Sequence, residues 1–531
     1  MVHLTAVEQQ QQQTAAWQEA HQDEELVKLS TEADDFSSSV YGSRFAARGL
    51  PRTRMPEEQM PREVAYRMIR DDLSLDNNPR LNLASFVTTY MEEEAEKLMT
   101  ESMSKNFIDY EEYPHSADMQ SRCVSMLGDL FHAPSSATTG TCGALGTATV
   151  GSSEAIMLAV LALKKRWAAR RRAQNKSVDN PNLIMSSAVQ VCWEKATRYL
   201  DIEERLVYCA PDRFVVDPAQ MVDLCDESTI GCVLILGTTY TGHYEDVKAV
   251  SDLLVSRGVD VPIHVDAASG GFVAPFIVPD LQWDFRCEKV VSINVSGHKY
   301  GLVYPGVGWA LWRSSEDLPQ ELVFNIDYLG AQQSSFTLNF SKGASQIVGQ
   351  YYQLIRLGRR GYRAIMSNLV RNADYLAGSL RSQGFIILSD RAGAGLPLVA
   401  FRLSPHDKDR QYDEFALAHQ LRARGWVVPA YTMAPKTDRM KLLRIVVRED
   451  LSRGLVDALV ADIKLCIEML DQMDRESIER MGDFIRQHVS STASVGKHHQ
   501  NRHHAKQKAH SAYKDESHSL QGRTGKTHAA C

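Results

Sequence analysis

In the stretch "VVSINVSGHKYGLVYPGVGWALWR", residues 290–313, two apolar runs flank a histidine and a lysine, His298 and Lys299. A lysine between such runs either reaches water along its aliphatic stem or gives up its proton, because desolvation disfavours the ammonium form. The first outcome is an ordinary turn lysine. The second is a neutral amine, a nucleophile suited to Schiff-base chemistry with a carbonyl compound.

Two further stretches carry residues of matching chemistry. In "GTATVGSSEAIMLAVLALKKR", Gly151, Ser152 and Ser153 directly precede a long apolar helix, offering an anion two hydroxyls and unpaired backbone N–H groups. A plain serine N-cap reads the same way. In "IHVDAASGG", Asp266 follows an apolar strand and is itself followed by small residues that let a flat ligand approach. A buried carboxylate requires a cationic partner. A protonated ring nitrogen would serve, as would a metal or a helix N-terminus, although no carboxylate or histidine stands nearby at metal-ligand spacing. An anion seat, a carboxylate for a ring nitrogen and a Schiff-base lysine, in that order, make a pyridoxal 5'-phosphate site.

Such residues must be positioned by strands and helices. From about 80 to 370 the chain alternates helical patterns with continuous apolar runs, which predicts an α/β domain with a mostly parallel sheet covered on both faces. Polar residues that follow its strands are then the ones placed for binding. From about 370, "FIILSD", "LPLVAFRLS", "WVVPAYTMA" and "KLLRIVVRED" interleave with helices and predict a smaller α+β domain. The expected layout is an arm over 1–80, its first forty or so residues polar and disordered, a large domain over 81–369, a small one over 370–489 and a disordered tail over 490–531. One acidic amphipathic helix is predicted over "LVDALVADIKLCIEMLDQMDRESIERM".

Composition narrows the class. With 531 residues, 44% hydrophobic and 24% charged, the chain is of ordinary globular composition. It contains no apolar run of about 18 residues or more and no signal-like start, so a soluble, cytoplasmic protein without membrane association is expected. Nine cysteines without a CxxC pair read as reduced thiols. A formal charge of −7 gives no broad basic face for nucleic acid. In the tail, "GRTGKT" lacks the first glycine of a nucleotide-binding loop, Leu520 standing in its place, and follows no strand.

From about 40 to 490 the sequence resembles the glutamate decarboxylases of the pyridoxal-phosphate group II decarboxylase family, the plant and bacterial kind. The motifs that carry the resemblance include "NFIDYEEYPHSADMQ", "GTATVGSSEAIMLA", "VQVCWEK", "HVDAASGGF", "SGHKYG", "LNFSKG" and "LLRIVVRED". It implies an aspartate-aminotransferase-like, fold type I large domain and decarboxylation of L-glutamate to 4-aminobutyrate and CO2. Lys299 then matches the lysine that holds the cofactor as an internal aldimine, and Asp266 the partner of its ring nitrogen. Ser152, Ser153, Ser296 and His298 match the phosphate site, with Ser341 reaching it from a neighbouring subunit, so that a homodimer is the smallest active unit. Gln190 matches the residue stacked over the ring, Thr239 and Ala268 lining the other side. Ser85, Phe86, Asn106 and Asp109 match the site for the distal carboxylate, Asp109 sharing a proton with it.

Arg444 matches the residue that pairs with the other carboxylate, a bidentate geometry suited to a guanidinium. By itself it reads equally as a strand-end salt bridge to Glu449 or Asp450. Residues 322–336 are the expected lid, with Tyr328 a candidate proton donor beside Lys299 and His298. Plant relatives carry a calmodulin-binding tail. Here residues 491–531 offer only Val495, Tyr513 and Leu520 as sizeable apolar anchors, so no calmodulin binding is expected. Two rivals are weighed. A decarboxylase of aromatic amino acids or histidine would need a more apolar pocket than "SFVTTY" and "NFIDYEEYP" offer. A cofactor-free interaction protein on this fold would have no use for Lys299, Asp266 and the serine pair.

Overall fold

The computed structural model describes residues 49–488, apart from 52, 58, 136–142, 327–332 and 408–409. The polar arm expected over the first forty residues, the tail expected after 490 and Tyr328 lie outside the described residues. Two compact units are present; among the described residues one comprises 49–78 and the other 79–488. The first holds helix α1 (Arg62–Leu73), which begins where "MPREVAYRMI" turns from loop to helical pattern.

The second unit is built on a seven-stranded sheet of β1 (Leu145–Thr149), β2 (Asn182–Ser186), β3 (Glu203–Val207), β4 (Thr229–Ile235), β5 (Ile263–Asp266), β6 (Val290–Ser296) and β7 (Gly308–Trp312). Its spatial order is β1-β7-β6-β5-β4-β2-β3. Strand β7 runs antiparallel to both neighbours, and every other pairing is parallel. Every residue of β2, β4, β5, β6 and β7 is buried, which is why these strands read as continuous apolar runs. The helices of this unit begin with α2 (Glu93–Glu101), α3 (Pro114–Leu130), α4 (Ser152–Ala173), α5 (Val191–Tyr199), α6 (Pro218–Asp223) and α7 (Val247–Ser256).

A two-stranded ribbon follows, β8 (Phe324–Ile326) with β9 (Gln333–Ser335), inside the stretch expected to be a lid. Helix α8 (Ser345–Ser382) then runs for 38 residues, interrupted at Gly358, whose φ of 54° a glycine adopts without steric cost. Residue 370, where the small domain was expected to begin, lies inside this helix. Beyond it β10 (Ile386–Ile387), β11 (Leu398–Arg402), β12 (Ala430–Thr432) and β13 (Lys441–Val446) form an antiparallel sheet in the order β10-β11-β13-β12. Helix α9 (Glu414–Ala423) lies between the second and third of these strands in the chain.

The single acidic helix expected after β13 is two, α10 (Arg453–Asp471) and α11 (Arg475–His488). The Asp474 carboxylate accepts from the Ser477 amide at 2.8 Å and starts the second helix in the manner of an N-cap. Apolar periodicity continues across the break, so the pattern alone reads as one helix. Among the described residues no helix is long and apolar enough to cross a membrane.

Candidate active site

The carboxyl ends of the parallel strands gather the chemistry. One pocket is lined by Ala188 and Gln190 beyond β2, by Ile235, Gly237 and Thr239 at the end of β4 and beyond it, by Asp266, Ala268 and Ser269 at the end of β5, and by Lys299 beyond β6. Five residues taken from the sequence as cofactor contacts thus share a single enclosure. Lys299 is 8% exposed, and its Nζ donates to the Ser269 hydroxyl at 3.3 Å. The turn that carries it is held from outside, the Thr88 hydroxyl donating to the Lys299 carbonyl at 2.8 Å and the Thr88 amide to the His298 carbonyl at 3.0 Å.

Asp266 accepts three hydrogen bonds and keeps acceptor capacity on Oδ2. Its Oδ2 accepts from the Trp193 indole at 2.8 Å, and its Oδ1 accepts from the Asn294 side-chain amide at 2.9 Å and the Ala268 backbone at 3.1 Å. Neither Trp193 nor Asn294 was singled out from the sequence. Signals for both were present: Trp193 is three residues after Gln190 at the start of α5, and Ser292, Asn294 and Ser296 alternate along an otherwise apolar β6, which puts three polar side chains on one face.

The phosphate seat differs in detail from a serine-capped helix. Gly151 is the N-cap of α4, Ser152 and Ser153 are its first two residues, and no side chain caps it. Ser153 is exposed, whereas the Ser152 hydroxyl turns inward to the Ser296 hydroxyl at 2.5 Å. His298 stands over Gly151, where a Cβ would come within 3.2 Å of its ring. Its Nδ1 is buried without a partner, and burial together with the neighbouring Lys299 pushes the imidazole down to about 4. Glu154 in the first turn of α4 accepts the Val150 amide at 2.8 Å and, from the segment leading to Ser341, the Leu338 amide at 2.9 Å.

A helix N-terminus, paired hydroxyls, an unpartnered histidine nitrogen, a buried lysine and a carboxylate lie at the ends of β1, β6 and β5. The set fits a flat phosphorylated aromatic aldehyde such as pyridoxal 5'-phosphate, because the orphaned His298 nitrogen and the hydroxyl pair are the partners a phosphate requires.

Beside this enclosure stands the candidate substrate cation. Arg444, on β13, is 3% exposed. Its Nη1 donates to the Thr239 carbonyl at 2.5 Å and its Nη2 to the Ala84 carbonyl at 2.6 Å, while Nε is buried without a partner. Burial lowers the guanidinium below its ordinary value. The salt bridge considered for it belongs instead to Arg448, whose Nε lies 3.5 Å from Asp450. The Phe86 ring is shared, with Arg444 Cζ 4.9 Å and Lys299 Nζ 5.4 Å from its centroid. Ser85 accepts the Val87 amide through its hydroxyl at 3.1 Å.

The remaining expected residues are gathered elsewhere. Asn106 bridges Gly343, the Phe107 amide donates to the Lys342 carbonyl at 2.7 Å, and the Tyr113 amide to the Asp109 carbonyl at 2.8 Å. Ser341 lines a second opening with Thr149, Val150, Val307 and Lys342, which shares no lining residue with the Lys299 pocket. Asn106 Oδ1 is buried without a donor. Burial lowers the Lys342 ammonium to about 8.

Comparison with known proteins places this geometry. A family model described as the pyridoxal-dependent decarboxylase conserved domain matches residues 56–404. The chain is 51% identical over 458 residues to glutamate decarboxylase 1 of Arabidopsis thaliana, covering 85% of this chain and 89% of that protein. It is 44% identical over 440 residues to a glutamate decarboxylase of Aliivibrio fischeri, covering 82% and 93%. The solved glutamate decarboxylase of Lactobacillus brevis superposes with a TM-score of 0.78 at 42% identity, over 82% of this chain and 99% of that one.

Proposed function

The chain belongs to the pyridoxal-dependent decarboxylase family, and on that premise we propose that it removes the α-carboxylate of L-glutamate, releasing CO2 and 4-aminobutyrate. Its cofactor is pyridoxal 5'-phosphate. The observation that supports an amino-acid carboxylate as ligand is Arg444, a buried cation with an unpartnered Nε that shares the Phe86 ring with Lys299, and glutamate as the amino acid rests on the relatives. A substrate carboxylate would supply what that nitrogen lacks.

When bound, the cofactor supplies a conjugated cationic ring that takes up the electron pair left on the α-carbon. The chain's own residues do the rest. Lys299 holds the carbonyl carbon, its amine steadied by Ser269. Asp266 keeps the ring nitrogen protonated. Ser152, Ser296 and His298 take the phosphate at the start of α4, with Ser153 beside them. Gln190, Thr239 and Ala268, which line the same pocket, would flank the ring. Arg444 fixes one substrate carboxylate, so that the bond to CO2 and not the bond to hydrogen is broken. Ser85 and Phe86 receive the distal carboxylate, with Asn106 and Asp109 brought to it from the neighbouring subunit. Lys299 and His298 are placed to return a proton to the α-carbon.

The working assembly is at least a homodimer in which Ser341 serves the neighbour's phosphate. In support, Ser341 lines an opening that shares no residue with its own chain's Lys299 pocket, and Asn106, whose carbonyl accepts the Asp109 amide, bridges Gly343 beside it. Residues 81–369 form the large cofactor-binding domain and 370–489 the small one, a division suggested by the two separate sheets. We assign the enzyme to the cytoplasm, in keeping with nine cysteines that include no CxxC pair.

The test is a panel of amino acids given to the purified holoenzyme, with CO2 and amine product measured. Turnover confined to glutamate supports the reading, and turnover of an aromatic amino acid or histidine in its place rejects it.

A further inference from the structure

Strand register places a polar ladder behind the cofactor pocket. His264 and Asp266 leave β5 on one face, and the pairing with β6 sets His264 opposite Ser292 and Asp266 opposite Asn294. All four are buried, none more than 5% exposed. The mechanism above uses only Asp266.

The hydrogen bonds of the ladder run in one direction. The Asn294 side-chain N–H donates to Asp266 at 2.9 Å, which turns the Asn294 oxygen the other way. That oxygen lies 2.7 Å from His264 Nε2 and accepts only, so Nε2 carries the hydrogen. Burial lowers the imidazole's affinity for a second proton, leaving the ring neutral. His264 Nδ1 is therefore an acceptor, and the Ser292 hydroxyl donates to it at 2.8 Å. The order is Ser292 to His264 to Asn294 to Asp266.

We propose that His264 is a positioning residue for the carboxylate of Asp266: as the Nε2–H tautomer it locks the Asn294 amide with its N–H groups toward Asp266. The inference rests on the proposed role of Asp266 toward the cofactor ring. Without His264 the buried Asn294 oxygen has no donor, and the amide turns or shifts to find one. Turned, it would set an oxygen against the carboxylate. Asp266 would then be better satisfied by holding a proton itself than by supporting one on the ring.

The experiment compares His264→Phe, His264→Gln, Asn294→Ala, the double variant His264→Phe/Asn294→Ala and Asp266→Asn. Cofactor dissociation constants of the apoproteins are read by intrinsic fluorescence, and kcat and KM on the loaded enzymes. We expect His264→Phe to bind cofactor about tenfold more weakly and to lose about tenfold in kcat, with KM for glutamate within about twofold, the scale typical of partners that orient a binding group. His264→Gln, which keeps a donor, should recover most of the loss. The double variant should be no worse than Asn294→Ala, because the two residues act in series. Wild-type affinity and kcat in His264→Phe, or additive losses, would overturn the proposal.

Asp266→Asn separates the two claims. If it binds cofactor like the wild type, the role of Asp266 fails and this inference with it. If it binds poorly while His264→Phe does not, only the inference fails. Should His264→Phe not fold, 15N spectra of histidine-labelled wild-type holoenzyme decide, with the His264 signal assigned through His264→Gln. A pyrrole-type Nε2 with a pyridine-type Nδ1 is the expected result, and the opposite tautomer or an imidazolium refutes it.

Discussion

The hydroxyl oxygens of Ser152 and Ser296 stand 2.5 Å apart although the residues are separated by 144 positions in the chain. One begins α4, next to the Gly151 over which His298 stands, and the other ends β6. Ser152→Ala and Ser296→Ala should each retain the cofactor about tenfold less well, the scale of one hydrogen bond to a charged group. Equilibrium dialysis against pyridoxal 5'-phosphate checks this, and undiminished retention would place the phosphate elsewhere.

Lys299→Ala should fold, bind cofactor weakly and lose both the visible absorbance of the loaded enzyme and nearly all turnover. The enclosure around Lys299 is made by residues of three other strand ends, so removing its side chain leaves the scaffold in place. Wild-type turnover in this variant would sink the assignment.

Arg444→Lys keeps the charge and loses the fork. An ammonium cannot hold the Thr239 and Ala84 carbonyls and still present a third nitrogen to a carboxylate. A fall in kcat/KM for glutamate of about 100-fold or more is expected from the loss of two charge-assisted bonds. An unchanged value in steady-state assays would make Arg444 purely structural.

Mixed oligomers test the shared site. Lys299→Ala and Ser341→Ala protomers, unfolded together and refolded, should regain more cofactor binding per site than the mean of the two parents. Binding that stays at the mean argues for sites contained in one chain.

The apoprotein should lose stability as the pH falls from about 6.5 toward about 4, because His298 binds a proton in the unfolded chain at the ordinary histidine value but resists one when folded. Unfolded chain then carries more protons than folded chain in that window, so stability rises with pH across it. His298→Asn should flatten this part of the denaturant-midpoint profile; an unaltered slope would assign it to other groups.

How much of this could be read beforehand varies with the kind of signal. The parallel sheet was legible because β2, β4, β5 and β6 are buried on both faces and leave mainly apolar runs. Lys299 and Asp266 were legible because they follow such runs, and Ser152 because it opens a long apolar helix. Trp193 and Asn294 left only faint signals, the spacing from Gln190 and the polar alternation along β6, because their contact with Asp266 is set by register between strands and by the docking of α5. The break between α10 and α11 escaped because apolar periodicity persists through Asp474. For Arg444, charge and context suggested a salt bridge as readily as a ligand contact; only the fold reveals that Arg448 takes the aspartate.

The segment entering the site is held by its backbone. Arg448 donates to the carbonyls of Asn82, Ser85 and Pro79, Arg444 to that of Ala84, and the Val446 amide to that of Leu83. Carbonyl oxygens are the same whatever residue bears them. Side chains at Ser85 and Phe86 can therefore be exchanged by mutation without unfastening the strand of chain that presents them. Evolution could retune the pocket wall one residue at a time on this anchorage, whereas a change at Arg444 or Arg448 would disturb every position they fasten.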